Sequence, residues 1–255
     1  MAHKIGIIFP VINKWELTTV AVGSVKSKYE MFVVLVDNGS SDSTVAWAKQ
    51  GGAHIIDKVI ENGTNKGLTI AWNQGVLAAR EAGCNLVILA NNDIVLHPET
   101  INNMVDELDQ HADWGMITAV NDKGWCDANG GPNAILTKTI NEPGNTSPHP
   151  DFSFFMVRMS AFDTLKAKEE PEGKEPNPGM FDEQFSHRGK AYFEDNDFHY
   201  RMHKAGIPCM STTRAPYYHY ASQTANQGNA IGLNFDLNRM YFIEKHGMSP
   251  QQTGL

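Results

Sequence analysis

Residues Met31–Thr44 read MFVVLVDNGSSDST, and this stretch decides the fold class. Its first six residues, 31–36, are all apolar, as is typical of a strand buried on both faces of a parallel sheet. Asp37-Asn38-Gly39 is a turn signal that ends the strand. Ser41-Asp42-Ser43 then supplies capping side chains for a short helix. A buried strand that leads through a polar turn into a helix is the repeating unit of an α/β sheet.

The same alternation extends over the first half of the chain. The other predicted strands are Lys4–Val11, His54–Ile56, Leu86–Ala90 and Trp114–Ala119. The predicted helices are Leu17–Val25 capped by Asn13, a helix from Ser41 to Gly51-Gly52, Gly67–Ala82, and Pro98 to about His111. This order predicts a Rossmann-like, mostly parallel sheet with helices on both faces. Such sheets bind ligands at the carboxyl ends of their strands, where Asp37–Asp42 and Asn91–Asp93 lie.

The second half has weaker patterns. Residues 120–150 are rich in Gly, Asn, Pro and Asp and are predicted to be irregular. Residues 167–180 are charged and Pro-rich, which predicts a mobile surface insertion. Residues 235–246 have helical apolar spacing, so a helix is predicted near the end of the chain.

Composition excludes several classes of protein. With 255 residues and 41% hydrophobic content, the chain can bury a sizeable core. A net charge of -8 without a Lys/Arg cluster argues against binding a polyanion such as duplex DNA. Three scattered cysteines form no metal or disulfide pattern, and no apolar run approaches the roughly 18 residues of a membrane span. These features predict a cytoplasmic protein without a membrane span.

Two polar clusters beyond Asp37–Asp42 carry candidate ligand groups. Lys66 and Gly67 place a cation and a permissive glycine just before a helix, where they can meet a diphosphate or a base, although a capped surface turn is an equal alternative. Asn91-Asn92-Asp93 ends a strand, and one carboxylate with amide neighbours suits a divalent cation that keeps several waters. His219 is a second candidate ligand, which Mn²⁺ accepts more readily than Mg²⁺ does. The alternatives are a simple turn and a packed histidine.

The run Phe193-Glu194-Asp195-Asn196-Asp197 contains three acids in four positions and precedes a helical pattern. A helix N-terminus stabilises carboxylates through its free N–H groups and its dipole. A carboxylate held there can accept a proton from a substrate hydroxyl. The alternative is an acidic cap on a surface turn.

Together these motifs resemble family 2 glycosyltransferases of the GT-A fold, most of all the rhamnosyltransferase-like and polysaccharide-assembly branch. The resemblance covers about residues 4–222 and rests on VDNGSSDST, NKGLTIAWNQG, ILANND, FDEQF, FEDNDFHYRMHKAG and a late histidine. It implies transfer of a sugar from a nucleotide diphosphate-sugar, for which we predict uridine or thymidine, with inversion and with Mg²⁺ or Mn²⁺. The metal motif departs from the family's pattern because only its last acid, Asp93, is present.

Position by position, the resemblance implies a role for each candidate. The nucleotide-sugar contacts are Pro10, Val11, Asp37, Asp42, Lys66, Gly67, Asn91, Asn92 and Arg201, and Arg201 with Asp197 also braces the catalytic helix. The metal ligands are Asp93 and His219. The catalytic base is Asp195, with Glu194 as the less favoured choice. The domain prediction is one glycosyltransferase domain, 1–255, with a nucleotide-sugar-binding half (1–119), an acceptor and catalytic half (120–222) and a helical tail (223–255).

Four alternatives remain open. The acceptor can be a glycan, a modified DNA base or a protein side chain, and the outcome can be retention rather than inversion. A non-catalytic nucleotide-sugar binding module would keep Asp37 and Asp93 but has no need of Asp195. A nucleotidyltransferase would need a Gly-rich basic loop after the first strand, and Pro10–Lys14 is not one. Neither the donor sugar nor the oligomeric state is readable from the sequence.

Overall fold

The computed structural model describes residues 2–50, 55–221, 223 and 232–255. The strands are β1 (Lys4–Val11), β2 (Glu30–Asp37), β3 (Lys58–Glu61), β4 (Leu86–Ala90), β5 (Ile94–Leu96), β6 (Met116–Asn121), β7 (Thr146–Ser147), β8 (Phe154–Arg158) and β9 (Cys209–His219). The helices are α1 (Trp15–Gly23), α2 (Thr44–Lys49), α3 (Leu68–Glu81), α4 (Thr100–Gln110), α5 (Lys123–Ala128), α6 (Met159–Glu169), α7 (Gln184–Arg188), α8 (Glu194–Lys204) and α9 (Phe235–His246). Short 3₁₀ helices span Pro132–Thr137, Glu170–Glu172 and Pro250–Thr253.

The strands form one sheet in the order β3-β2-β1-β4-β8-β6-β9-β5, and β7 pairs with β9. β1 pairs in parallel with β2 and β4, and β2 does so with β3. β8 runs antiparallel to both β4 and β6, while β6 and β9 are parallel. β1, β2, β3, β4, β6 and β9 therefore point the same way, which confirms the predicted mostly parallel α/β sheet. The carboxyl ends of β1, β2 and β4 meet at one edge.

The core lies on both faces of this sheet because side chains alternate along each strand. Ile5, Ile7 and Phe9 of β1 face one way and pack in a cluster that includes residues of α1 and α4. Ile8 faces the other way and packs in a cluster with residues of α3, α6 and α8. All four side chains are fully buried, and each contributes about 1.5–3 kcal/mol by leaving water. The prediction of helices on both faces is confirmed.

The third strand lies later than predicted. β3 replaces the predicted strand His54–Ile56, and it pairs in parallel with the end of β2. The Asp57 carboxylate accepts a hydrogen bond from the Val33 amide at 2.7 Å, which fixes where this pairing begins. The register of the neighbouring strand, rather than the local apolar run, sets the position of β3. Residues 51–54, including the predicted helix end at Gly51-Gly52, lie outside the described residues.

The prediction that Asn13 caps α1 is wrong. The residue before α1 is Lys14, and it makes no side-chain capping bond. The Asn13 carboxamide oxygen instead accepts from the Ser41 amide at 2.8 Å. This bond joins the loop after β1 to the loop after β2. Both loops lie at the carboxyl edge of the sheet.

The second half is more ordered than its composition predicts. Residues 120–150 contain α5, a 3₁₀ helix and β7. Cys126 and Ile135 from this segment form a small buried cluster with Val95 and Tyr218. The partners lie far away in sequence, so the segment itself shows no periodicity. β8 was also not predicted, and it joins the first-half strands to β6.

Residues 167–180 are not a loosely attached surface insertion. α6 continues to Glu169, whose buried carboxylate accepts from the Arg201 guanidinium at 2.7 Å and from the Gly179 amide at 2.7 Å. Both ends of the segment are therefore held against α8. The exposed charged residues among 170–174 dominate the composition of the segment, so the sequence does not predict these buried contacts.

Candidate functional site

A cavity of about 290 Å³ lies at the carboxyl edge of the sheet. Its walls come from the loops after β1, β2 and β4, from the end of β9, and from the start of α8. The lining residues are Pro10, Val11, Ile12, Asn38, Asn65, Leu68, Asn91, Asn92, Asp93, Lys190, Ala191, Tyr192, Glu194, His219 and Leu233. The structure thus brings together seven predicted site residues: Pro10, Val11, Asn91, Asn92, Asp93, Glu194 and His219.

Asp93 and His219 form the most polar corner of the cavity. Strand pairing positions them, because Ile94 at the start of β5 is the partner of His219 at the end of β9. The His219 Nε2 atom lies 3.0 Å from an Asp93 carboxylate oxygen. The Asn91 amide nitrogen lies 3.5 Å from the same imidazole nitrogen. Asn92 also lines the cavity, but its amide donates to the buried Thr18 hydroxyl at 3.0 Å.

This corner fits a divalent cation that is shared with a phosphate ligand. Asp93 offers carboxylate oxygens and His219 offers an imidazole nitrogen, a donor set that suits Mn²⁺. In the parts of the chain that the structure describes, no three His, Cys, Asp or Glu side chains converge as a metal site. A cation held by Asp93 and His219 would take its other ligands from phosphate oxygens and water.

Asp37 shapes one wall of the cavity without lining it. Its carboxylate is buried and accepts from the amides of Gly39 and Ser40 at 3.0 and 3.1 Å. The wall itself is formed by Asn38, whose amide donates to the Gly67 carbonyl at 3.2 Å. Asp37 therefore holds the turn that presents Asn38. The sequence predicts a nucleotide contact for Asp37, whereas the side chain that lines the cavity belongs to Asn38.

Asp42, Lys66 and Gly67 also lie off the cavity wall. Asp42 is exposed, and its carboxylate accepts from the amides of Thr44 and Trp15 at 3.0 and 3.2 Å, so it caps α2 and fixes the start of α1. Lys66 is exposed. Gly67 has a φ of +100°, and a Cβ atom there would come within 2.4 Å of the Ser186 side chain. Close packing against α7 therefore accounts for this glycine.

The sequence does not predict the part of the cavity wall formed by residues 190–192, which Phe193 follows. Lys190, Tyr192 and Phe193 all have positive φ, at 69°, 84° and 66°. Such backbone is costly for non-glycine residues and persists only where other contacts hold it. The buried Asn238 of α9 supplies such contacts by donating to the carbonyls of Ala191 and Tyr192 at 2.7 and 3.2 Å. Neither periodicity nor turn composition signals this arrangement.

The two adjacent acids at the start of α8 occupy different environments. Glu194 lines the cavity and is buried, and its Oε2 atom has no hydrogen-bond partner among the described residues. Burial raises the pKa of Glu194 well above its usual range, and the neighbouring Asp195 adds to the effect. Asp195 is half-buried and lies outside the cavity wall, with its carboxylate accepting from the Asn196 amide at 2.8 Å. Burial, with a smaller contribution from Asp151, also raises the pKa of Asp195.

Arg201 lies away from the cavity. Its guanidinium donates to both carboxylate oxygens of Glu169 at 2.7 Å and to Asp197 at 3.1 Å. Glu175 lies 3.4 Å from the same group. The side chain is 3% exposed and already faces three carboxylates, so its position supports the predicted bracing of α8 and does not support contact with a nucleotide.

Comparison with known proteins agrees with this geometry. A family model described as glycosyl transferase family 2 matches residues 6–166. The chain belongs to glycosyl transferase family 2. The resemblance seen in the sequence motifs is therefore confirmed at the level of the family. The matched range contains Asp37, Asp93 and their strands, whereas α8 lies beyond it.

One sequence relative is EpsE of Bacillus subtilis (strain 168), named as a proposed glycosyltransferase. It is 27% identical over 174 residues, which cover 64% of this chain and 59% of EpsE. The family 2 chain thus matches less than two thirds of that relative's length.

Solved structures share the fold at low identity. The mannosyltransferase PcManGT from Pyrobaculum calidifontis, in complex with GDP-Man and Mn²⁺, has a TM-score of 0.60 at 16% identity, covering 98% of this chain and 67% of its own. GalNAc-T7 with UDP, GalNAc and Mn²⁺ has a TM-score of 0.61 at 12% identity, covering 86% of this chain and 44% of its own. These neighbours confirm the GT-A fold. Across the described ranges, no helix is both long and apolar enough to cross a bilayer.

Proposed function

We propose that this family 2 chain transfers a sugar from a uridine or thymidine diphosphate-sugar to an acceptor hydroxyl, with inversion and with Mn²⁺ or Mg²⁺. One observation carries the proposal. Asn38, Asp93, His219 and Glu194 come from four separate segments and converge on one cavity at the carboxyl edge of the sheet. Open α/β sheets bind nucleotides at this edge.

Donor binding follows from the cavity walls. The end of β1 and the Asn38 turn face the nucleoside, and the corner of Asp93 and His219 faces the diphosphate. Lys190 is the lysine on the cavity wall, and it takes the role that the sequence suggested for Lys66. The metal ion, when bound, offsets the charge that develops on the departing diphosphate.

The two acids at the start of α8, Glu194 and Asp195, have different roles in this proposal. The Glu194 Oε2 atom has no hydrogen-bond partner in the described part of the chain, so a hydroxyl of the donor sugar satisfies it. Asp195 follows Glu194 at the start of α8, and we assign the acceptor to its side of the cavity. Its carboxylate accepts the proton of the acceptor hydroxyl while that oxygen attacks the anomeric carbon. A single displacement of this kind inverts the configuration, and holding two substrates in line lowers the barrier further.

Ligand binding tests the proposed function directly. Thermal unfolding is measured with UDP-, dTDP- and GDP-sugars, each with and without Mn²⁺. A ligand at 100 times its Kd stabilises the folded chain by about 2.7 kcal/mol, so a true donor raises Tm clearly. The absence of a shift with every donor would overturn the proposal. GDP-sugars are included because PcManGT was solved with GDP-Man.

Asp93→Asn is expected to abolish the gain in nucleotide affinity that Mn²⁺ produces. The change keeps the size of the side chain but removes the carboxylate that lies 3.0 Å from the His219 imidazole. Calorimetric titration with UDP or dTDP, with and without Mn²⁺, measures the effect. The matched control is Asp113→Asn, an exposed acid in the loop after α4. A full metal-dependent gain in Asp93→Asn would show that the cation, if any, binds elsewhere.

Asp37→Ala is expected to weaken nucleotide binding by about 1.5–3 kcal/mol, the range for hydrogen bonds to charged groups. The amides of Gly39 and Ser40 lose their acceptor, so the turn no longer presents Asn38. Calorimetry with nucleoside diphosphates measures the loss, and Asp113→Ala is the control. Unchanged affinity for every nucleoside diphosphate would show that the turn held by Asp37 does not contribute to nucleotide binding.

A further inference from the structure

A second cavity, of about 440 Å³, lies beside α8. Three histidines line it: His149 from the segment before β8, and His199 and His203 from α8. Ile207 and Met210 contribute apolar wall. Nothing in the proposed chemistry of the donor cavity uses these residues.

His199 is a buried polar ring without a partner. Its residue is 6% exposed, and no hydrogen bond from any residue in the described ranges reaches its ring nitrogens. The Phe152 ring lies 5.7 Å away, centre to centre, and covers one side. The ring nitrogens have no protein partner in the described ranges, so they are available to a hydrogen-bonding group that enters the cavity.

The cavity suits a neutral, hydroxyl-bearing molecule. Burial, with smaller contributions from His203 and His149, lowers the pKa of His199 to about 4. The ring is therefore neutral at physiological pH and offers one donor and one acceptor, the complement of a hydroxyl group. Beside the three histidines, the described lining includes the apolar side chains of Pro148, Ile207, Pro208, Met210 and Leu255, which suit the C–H groups of such a molecule.

The cavity is aligned with the proposed base. Asp195, His199 and His203 are spaced by four residues and share one face of α8. At 1.5 Å per residue, the two histidines lie about 6 and 12 Å along the helix from Asp195. Residues 148–152 run beside the same face, since Asp151 raises the pKa of Asp195, Phe152 contacts His199 and His149 lines the cavity.

We infer that this histidine cavity binds a neutral saccharide portion of the acceptor while the reacting hydroxyl lies at Asp195. The inference rests on the proposed function, whose acceptor it specifies. Imidazole nitrogens bind the saccharide hydroxyls. Ile207 and Met210, with Pro148 and Pro208, pack against its apolar C–H faces.

The first test follows the histidine rings in the full chain by ¹H–¹⁵N NMR. Neutral malto-, cello-, chito- and manno-oligosaccharides of three to six units are titrated in turn, followed by inorganic phosphate. The expected result is a saturable shift of the His149, His199 and His203 ring signals with at least one saccharide and none with phosphate. The exposed His187 of α7 serves as the internal control. No shift with any saccharide, or a shift with phosphate instead, overturns the inference.

The second test uses kinetics with the saccharide that gives the largest shift. His203→Phe fills the cavity and is expected to raise the acceptor KM at least tenfold, while hydrolysis of the donor by water keeps its rate and its donor KM. His187→Phe is the matched control. His203→Gln, which keeps a hydrogen-bonding side chain without filling the cavity, is expected to lie between the two if His203→Phe folds poorly. An unchanged acceptor KM in both His203 variants overturns the inference.

Different results would contradict the proposed function and the acceptor assignment. If no nucleotide-sugar stabilises the chain, the proposed function itself fails. If a donor binds and is hydrolysed but no saccharide reaches the histidines, only the acceptor assignment fails. Transfer to DNA or to a protein side chain would then be the remaining outcomes.

Discussion

Asp195→Asn is expected to lower kcat by about 10²–10⁴-fold, the usual contribution of a general base. The amide keeps the shape of the carboxylate but cannot take the acceptor proton. Donor KM should change little, because Asp195 lies outside the wall of the donor cavity. Steady-state kinetics with donor and acceptor varied separately measure both effects.

Glu194→Gln separates the two acids. Its side chain lines the donor cavity, so the expected result is a higher donor KM and a smaller loss of kcat than in Asp195→Asn. Glu172→Gln, an exposed acid, is the matched control. If Asp195→Asn keeps more than about a third of kcat while Glu194→Gln is inactive, the roles are exchanged. If both variants stay active, the base lies elsewhere or the reaction retains configuration.

Arg201→Met is expected to destabilise the fold by about 3–5 kcal/mol, the usual cost of breaking a buried ion pair by removing one partner. The change leaves Glu169, Glu175 and Asp197 facing one another without the guanidinium that holds them together. For a chain of this size 1 kcal/mol corresponds to about 2–4 °C in Tm, so a drop of about 10 °C is expected. Thermal and urea unfolding measure it.

A surface arginine gives the control for this prediction. Arg188 forms an exposed pair with Glu244 at 3.4 Å, so Arg188→Met should cost less than about 1 kcal/mol. Equal losses in the two variants would show that Arg201 does not brace α8. A second readout is the double variant Arg201→Met with Glu169→Gln, which should recover part of the loss because the buried Glu169 carboxylate pairs with Arg201 in the wild type.

The same cluster predicts acid sensitivity. Arg201 and Lys245 hold the pKa of Asp197 well below its usual range despite its burial. A carboxyl with a lowered pKa stabilises the folded state above its unfolded value near 3.9, and this stability is lost as the pH falls below that value. The wild-type chain should therefore lose stability below about pH 4, and Arg201→Met should lose less of it over the same interval, because its Asp197 pKa is less depressed.

Local patterns were sufficient for the strands that form the donor edge. Lys4–Val11 and Leu86–Ala90 were predicted with the bounds of β1 and β4. Each is a continuous apolar run that ends at a polar turn, a pattern typical of a buried strand. The predicted position of β3 was wrong, and β8 was not predicted. The positions of both strands follow from pairing with β2 and β4 rather than from their own residues.

The sequence alone determined the α/β order and the edge at which the ligand groups collect. Right-handed connections between parallel strands bring the ends of successive strands to one side, so Asp37 and Asp93 had to lie near each other's strand ends. It could not determine which side chains face the cavity. The side chains of Asp37, Asp42 and Arg201 bind neighbouring protein groups. The cavity wall is lined instead by Asn38 and Lys190. Only pairing across long sequence distances decides this, as when β5 meets β9 and sets His219 beside Asp93, 126 residues away.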